Sequence, residues 1–278
     1  MVTDVDEVAM APDPSAPHPR LCNDRVVRTG PRGWSNWVLD PQIAERIRRG
    51  WRAELAAPGA FRGPGRHVQL RPGHDPAPAR WVGVVALGDS TCVSLPPSMS
   101  AWLTVLQRRD PDADLTDPAA VARAIGPVEE FLGPAVLAFL DPTAVDRDNP
   151  RVTWVPAGHE SVQHLAAACG PQDVQESGIL AVESSLAVWL VAGRVVAASG
   201  YQVWHGQLGH LSVLVDPAFR GRGLGNAVAA RAVGQVVDAG LVPQWRARST
   251  LLGSRQIART LGFVELGRQA TFKLAWPR

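Results

Sequence analysis

The sequence predicts an α/β fold, a mixed β-sheet with helices packed on it, in residues 150–278, preceded by a second α/β segment. Three observations carry this. After residue 150, helical and strand stretches follow in the order α-β-β-β-α-β-α-β-β. The strand Leu208–Val215 runs through Asp216-Pro217 into an Arg-Gly loop, and a small-residue helix begins directly after it. Hydrophobic residues make up 46% of the 278-residue chain, enough to bury a core in one large domain or two ordinary ones.

Composition narrows the function classes. The net charge of +2 is too small to argue for a nucleic-acid partner or a membrane surface. Lys273 is the only lysine, an arginine bias that fits a GC-rich coding sequence. Cys22, Cys92 and Cys169 are odd in number and far apart, with no CxxC, so neither a disulfide framework nor a thiolate metal site is expected. Reduced thiols suit a cytoplasmic protein. No apolar run approaches the roughly 18 residues of a membrane helix. The acidic N-terminus lacks the basic-then-apolar pattern of a signal peptide.

The elements follow in order. Residues 1–20, rich in Pro and Ala, read as a disordered tail. Residues 21–149 contain a helix near Pro41–Leu55, strands at Trp81–Leu87 and Thr91–Leu95 around a Gly88-Asp89-Ser90 turn, and helices near Ala101–Arg109 and Pro118–Phe131. Asp141–Pro150 has linker composition. Val152–Val155 is a strand, and Ser161–Cys169 is a helix with Val162, Leu165, Ala166 and Cys169 on one face. Strands Leu186–Val191 and Val195–Tyr201 join at Ala192-Gly193, and His205-Gly206 turns the chain into Leu208–Val215. The helix from Leu224 to Ala239 is mostly small or apolar, hence largely buried, and Gly240 stops it. Strand Gln244–Arg248, a short helix capped by Ser254, and strands Phe263–Leu266 and Ala270–Trp276 complete the sheet.

Arg220-Gly221-Arg222-Gly223-Leu224-Gly225 can bare several backbone N–H groups at the positive end of a helix, which suits a pyrophosphate. A tight turn that merely needs glycine is the bland alternative. A dinucleotide fingerprint wants Gly or Ala where Asn226 stands, and an acidic residue on a following strand, which is missing. A P-loop needs GxxxxGK[ST], which the single lysine excludes. Arg220-x-x-Gly223-x-Gly225 after an apolar strand resembles the R/Q-x-x-G-x-G/A signature of the GNAT superfamily of N-acetyltransferases. Ser254–Phe263, ending in Leu-Gly-Phe, resembles the same family's later helix, and the element order of residues 150–278 resembles its fold.

The resemblance implies an acetyl-CoA-dependent N-acetyltransferase acting on an amine of a small molecule or peptide, with acetyl-CoA as cosubstrate and no metal. It implies that acetyl-CoA lies between Leu211–Val215 and Gln244–Arg248. Val213, Leu214 and Val215 would then flank the pantetheine arm. The loop from Arg220 through Gly221, Arg222, Gly223, Leu224, Gly225 and Asn226 would hold the pyrophosphate, with Ser254 near the cofactor or capping its helix. The family's usual base, a carboxylate before the loop, is absent. His210 takes its place as candidate base, with Glu183, and Glu176 behind it, as candidates from the substrate side. The family's usual acid, a tyrosine, falls on Ala258, and Tyr201 reads as a packed strand aromatic. The missing groups keep a second reading open, a catalytically weak acyl-CoA-binding or regulatory protein. Residues 21–149 are either a degenerate copy of the same fold or a helper domain that covers the substrate side or builds a homodimer.

Overall fold

The computed structural model describes residues 28–29, 35–36, 39–71, 81–108, 110, 112–142 and 149–275. The expected tail at 1–20, Cys22 and most of the linker lie outside them. Among the described residues no helix is long and apolar enough to cross a membrane.

The chain begins with a small pair, β1 (Arg28–Thr29) and β2 (Ser35–Asn36). Helix α1 (Pro41–Glu54) follows, capped by Asp40, whose carboxylate accepts from the Gln42 N–H at 2.7 Å. Then come β3 (Gly65–Leu70), β4 (Trp81–Leu87), β5 (Ser90–Leu95), α2 (Trp102–Arg108), α3 (Pro118–Ala124) and β6 (Val128–Phe139). The C-terminal part contains β7 (Val152–Val155), α4 (Glu160–Cys169), α5 (Pro171–Ser177), β8 (Leu186–Val191), β9 (Arg194–Trp204) and β10 (Leu208–Val215). It ends with α6 (Leu224–Asp238), β11 (Val242–Arg248), α7 (Leu252–Thr260) and β12 (Val264–Leu274).

One ten-stranded mixed sheet carries the molecule, in the order β3-β5-β4-β12-β6-β11-β10-β9-β8-β7. The fold is the expected mixed α/β architecture. The sheet is continuous across residue 150. Strand β6, from the first half of the sequence, lies antiparallel between β11 and β12, and β12 in turn pairs with β4. Among the described strand pairs only β3–β5 and β10–β11 are parallel.

The hairpins at Ala192-Gly193 and His205-Gly206 form where expected. Both central residues of each turn have positive φ (48° and 74°, then 49° and 64°), the turn that matches strand twist. Helices α6 and α7 cover the sheet face carrying Leu211, Trp245 and Phe263. The opposite face is covered by α1, whose Trp51 packs with Phe139, Leu208 and Val242, and by α4, whose Leu165 packs with Leu214. Helices α2 and α3 close the core around Val84, Leu95 and Phe272.

Several boundaries differ from the sequence expectation. The helix expected over Pro118–Phe131 ends at Ala124, because Gly126 takes φ 142° and Pro127 follows, and the chain re-emerges as β6. The two expected closing strands are one, β12, bent at register shifts beside Gly267 and Ala270. Ser254 does not cap α7. Leu251 holds the cap position without a side-chain bond, and Ser254 lies inside the helix.

Candidate functional site

The site is built where β10 and β11 part. The two strands pair only at Leu208–Val242, Gly209–Pro243 and His210–Gln244. Beyond that point β10 stays with β9, and β11 stays with β6. The edge of Leu211–Val215 that faces β11 is therefore left without a strand. Gly209 allows the close approach at the vertex: a Cβ there would stand 2.4 Å from Val236 Cγ1 of α6.

A chain of polar contacts fixes the vertex. Gln244 is fully buried. Its Oε1 accepts from the Trp51 indole N–H at 3.0 Å, and its Nε2 lies 3.4 Å from His210 Nδ1. An indole only donates, so Gln244 must present its oxygen to Trp51 and its NH₂ to His210. The neutral imidazole then carries its proton on Nε2. The His210 ring lies against Trp204 at 4.6 Å, and Trp204 meets Trp51 edge-on at 5.6 Å. Burial first, and the Arg246 guanidinium second, push the His210 pKa down to about 3.

Two cavities open from the cleft. One, about 630 Å³, runs from Val213, Leu214 and Val215 past the Arg-Gly loop to α7. Arg220, Gly221, Gly223, Leu224, Gly225, Asn226 and Ser254 all line it. Gly221 and Gly223 hold φ of 76° and 75°, a conformation glycine adopts without a Cβ clash. Gly225 instead lies close to α7, where a Cβ would stand 2.8 Å from Ile257 Cδ1, the movable end of that side chain. No side chain caps α6, so its first N–H groups are left for another partner, and the Asn226 Oδ1 beside them is buried without one. Uncapped N–H donors and a glycine turn fit a pyrophosphate, whereas the Asn226 oxygen, an acceptor, calls for a donor group instead.

The two loop arginines differ. Arg220 lines the cavity but is tied down, its Nε donating to Val215 O at 3.1 Å and its Nη2 pairing with Asp173 at 2.5 Å. Arg222 lies outside the cavity lining, donates to Ala218 O at 3.3 Å and stacks 5.1 Å from the Phe219 ring. Ser254 Oγ accepts from the Trp245 indole at 3.0 Å. Ala258 is buried in the core with Val233 and Phe263 and has no acid to offer. Tyr201 packs in the same cluster.

The second cavity, about 480 Å³, lies on the α1 face and is lined by polar groups, among them Gln202, His210, Arg248 and Gln269. Glu176, Ser177, Arg246 and Ala247 line both cavities. Glu176 is half-buried, and its Oε2 pairs with Arg248 Nε at 2.8 Å. Glu183 is exposed and lines neither cavity, so the structure does not bring it together with His210. Among the described residues no group of three His, Cys, Asp or Glu side chains is placed to hold a metal.

Sequence reasoning missed Trp51, Gln244 and Arg246. The alternation Gln244, Arg246, Arg248 was visible as one polar strand face, but nothing local revealed that the strand beside it departs.

Residues 188–271 match the model of the GNAT acetyltransferase family. Among solved structures, a GNAT-family protein from Novosphingobium aromaticivorans is similar at 20% identity, over 66% of this chain and 84% of that one, with a TM-score of 0.46. An acetyltransferase from the GNAT family of Colwellia psychrerythraea aligns at 18% identity over 70% and 81%, TM-score 0.46. A GCN5-related N-acetyltransferase-like protein from Streptococcus suis aligns at 17% over 83% and 99%, TM-score 0.43. No protein of curated function matches the sequence.

Proposed function

Residues 188–271 make this chain a member of the GNAT superfamily, and on that premise we propose that it transfers an acetyl group from acetyl-CoA to an amine. The observation that carries the reading is the pair of cavities sharing the walls Glu176 and Arg246 at the mouth of a split between parallel strands. One cavity has the donors for a pyrophosphate, the other is a polar chamber for the acceptor, and they meet where the transfer must occur.

Acetyl-CoA supplies the acyl group as a thioester. The α6 N-terminus and the turn at Gly221 and Gly223 bind the pyrophosphate, and the free edge of β10 receives the pantetheine arm. Glu176 is the proton acceptor in this reading, because it is the carboxylate on the wall common to both cavities. It removes a proton from the acceptor's ammonium, directly or through water, and the neutral amine is then the nucleophile. His210 is a poor base: its Nδ1 faces the Gln244 donor, and its pKa near 3 leaves it with little affinity for a proton. We assign it the task of holding the vertex and the cavity wall. Ser254 offers a hydroxyl to the departing thiolate from the turn before Ala258, since Trp245 uses its oxygen and not its proton.

The test is a thermal shift with acetyl-CoA followed by thiol release across a panel of amines. Absence of any shift would refute the reading. A shift without thiol release on any amine would favour an acyl-CoA-binding role, the alternative that Ala258 supports.

A further inference from the structure

Two cations occupy one face of β11 beside the acceptor cavity, and they are not equivalent. Arg248 has its carboxylate, Glu176, at 2.8 Å. Arg246 has none: among the described residues no Asp or Glu lies within ion-pair distance, and its Nη1 donates only to the neutral Gln269 Oε1 at 3.2 Å. A guanidinium carries five N–H donors in a planar fork that matches a carboxylate. Arg246 is exposed and lines this cavity, beside the neutral groups Gln202, Gln269 and Thr271 and the charged pair Glu176 and Arg248. A guanidinium on a cavity wall with no carboxylate in ion-pair contact is complementary to an anionic ligand.

The position of Arg246 limits which anion. Arg246 lines both cavities, as does Glu176. Glu176 is also the foremost carboxylate influence on Arg246, so the two groups are neighbours, and a ligand that bridges them carries its ammonium and its anion on one small molecule. From this geometry we infer that the acceptor is an α-amino acid, its carboxylate held by Arg246 and its amine presented to Glu176. This rests on the acetyl-transfer reading and narrows its substrate class.

The experiment compares matched trios: an L-α-amino acid, its primary carboxamide and the decarboxylated amine, over several side chains, with acetyl-CoA saturating. The free acid is expected to exceed both neutral partners in kcat/KM by about tenfold or more, the scale of a charge-assisted hydrogen bond. Arg246→Gln collapses the acid-to-carboxamide ratio toward one, and Arg246→Lys retains part of it. Circular dichroism of both variants reads folding separately. Equal or better use of carboxamides, or a ratio unchanged in Arg246→Gln, overturns the inference while leaving acetyl transfer standing. If no amine is turned over, the same trios are read as thermal shifts on the protein with CoA. A shift specific to the carboxylate, lost in Arg246→Gln, supports the inference, and its absence overturns it.

Discussion

The Trp51 indole N–H donates to Gln244 Oε1 at 3.0 Å across 193 positions of sequence, and this bond sets the proton on a third residue. Because Gln244 spends its oxygen on Trp51, it turns its NH₂ toward His210 Nδ1. Gln244→Glu replaces that donor with a second acceptor and a negative charge. The imidazolium then gains a partner, and the His210 pKa should rise from about 3 by about 1–3 on the pH scale. An NMR titration of the imidazole reads it, and an unchanged midpoint would show that burial and Arg246 set the value without the Gln244 contact.

His210 also makes stability depend on pH. Its folded pKa of about 3 lies below the ordinary 6.5, so the unfolded chain binds the proton more readily. The stabilisation is full above 6.5 and is lost as pH falls toward 3. Between pH 7 and 5 the group should cost up to about 2 kcal/mol, discounted for its partial exposure. Urea unfolding of wild type and His210→Gln at both pH values tests this. The variant should lose less stability on acidification, and parallel losses would count against the assignment.

How far the sequence reveals this site depends on how local each part is. The Arg-Gly loop was legible because six adjacent residues define it, and the two hairpins because Ala192-Gly193 and His205-Gly206 each fit one turn. Strand β6 was not. Gly133 to Leu140 is an apolar run that becomes buried, without the alternation that identifies a strand, and its seat between β11 and β12 comes from pairing. Glu176 sits on α5, a seven-residue helix too short to show a period, which left it behind Glu183 as a candidate. Arg246 acquires its place only because β10 turns away after His210, a relationship no window of sequence contains.

Gly223 and Gly225 separate turn strain from packing. Gly223→Ala places a Cβ that meets no protein atom within 4 Å, but at φ 75° it costs about 1 kcal/mol. Gly225→Ala pushes only on the terminal methyl of Ile257, which can yield, so its stability loss should be smaller. If the loop cradles a pyrophosphate, the affinity for acetyl-CoA in Gly223→Ala falls further than its melting temperature explains. Unchanged affinity by calorimetry would place the cofactor elsewhere.

Ser254→Ala should cost about 1–3 kcal/mol, the penalty for leaving a buried indole N–H unpaired, because Trp245 is 5% exposed and has Ser254 Oγ as its acceptor. Denaturant unfolding measures it. Ser254→Thr keeps the oxygen and should recover most of the loss, whereas equal losses in both variants would point to α7 packing as the cause.

Glu176→Gln tests the proton acceptor. The amide keeps the shape of the side chain and an oxygen for Arg248, whose Nε now lies 2.8 Å from Glu176 Oε2. It cannot take a proton from an ammonium. Turnover should fall by about 10²–10⁴, the range for losing a general base, while acetyl-CoA still shifts the melting temperature. Raising the pH supplies neutral amine without help, so the variant should recover activity as pH approaches the amine's own pKa, and wild type should gain less. A variant that stays impaired at high pH would mean Glu176 positions the acceptor instead. One that is fully active at neutral pH would remove it from the chemistry and leave proton removal to water.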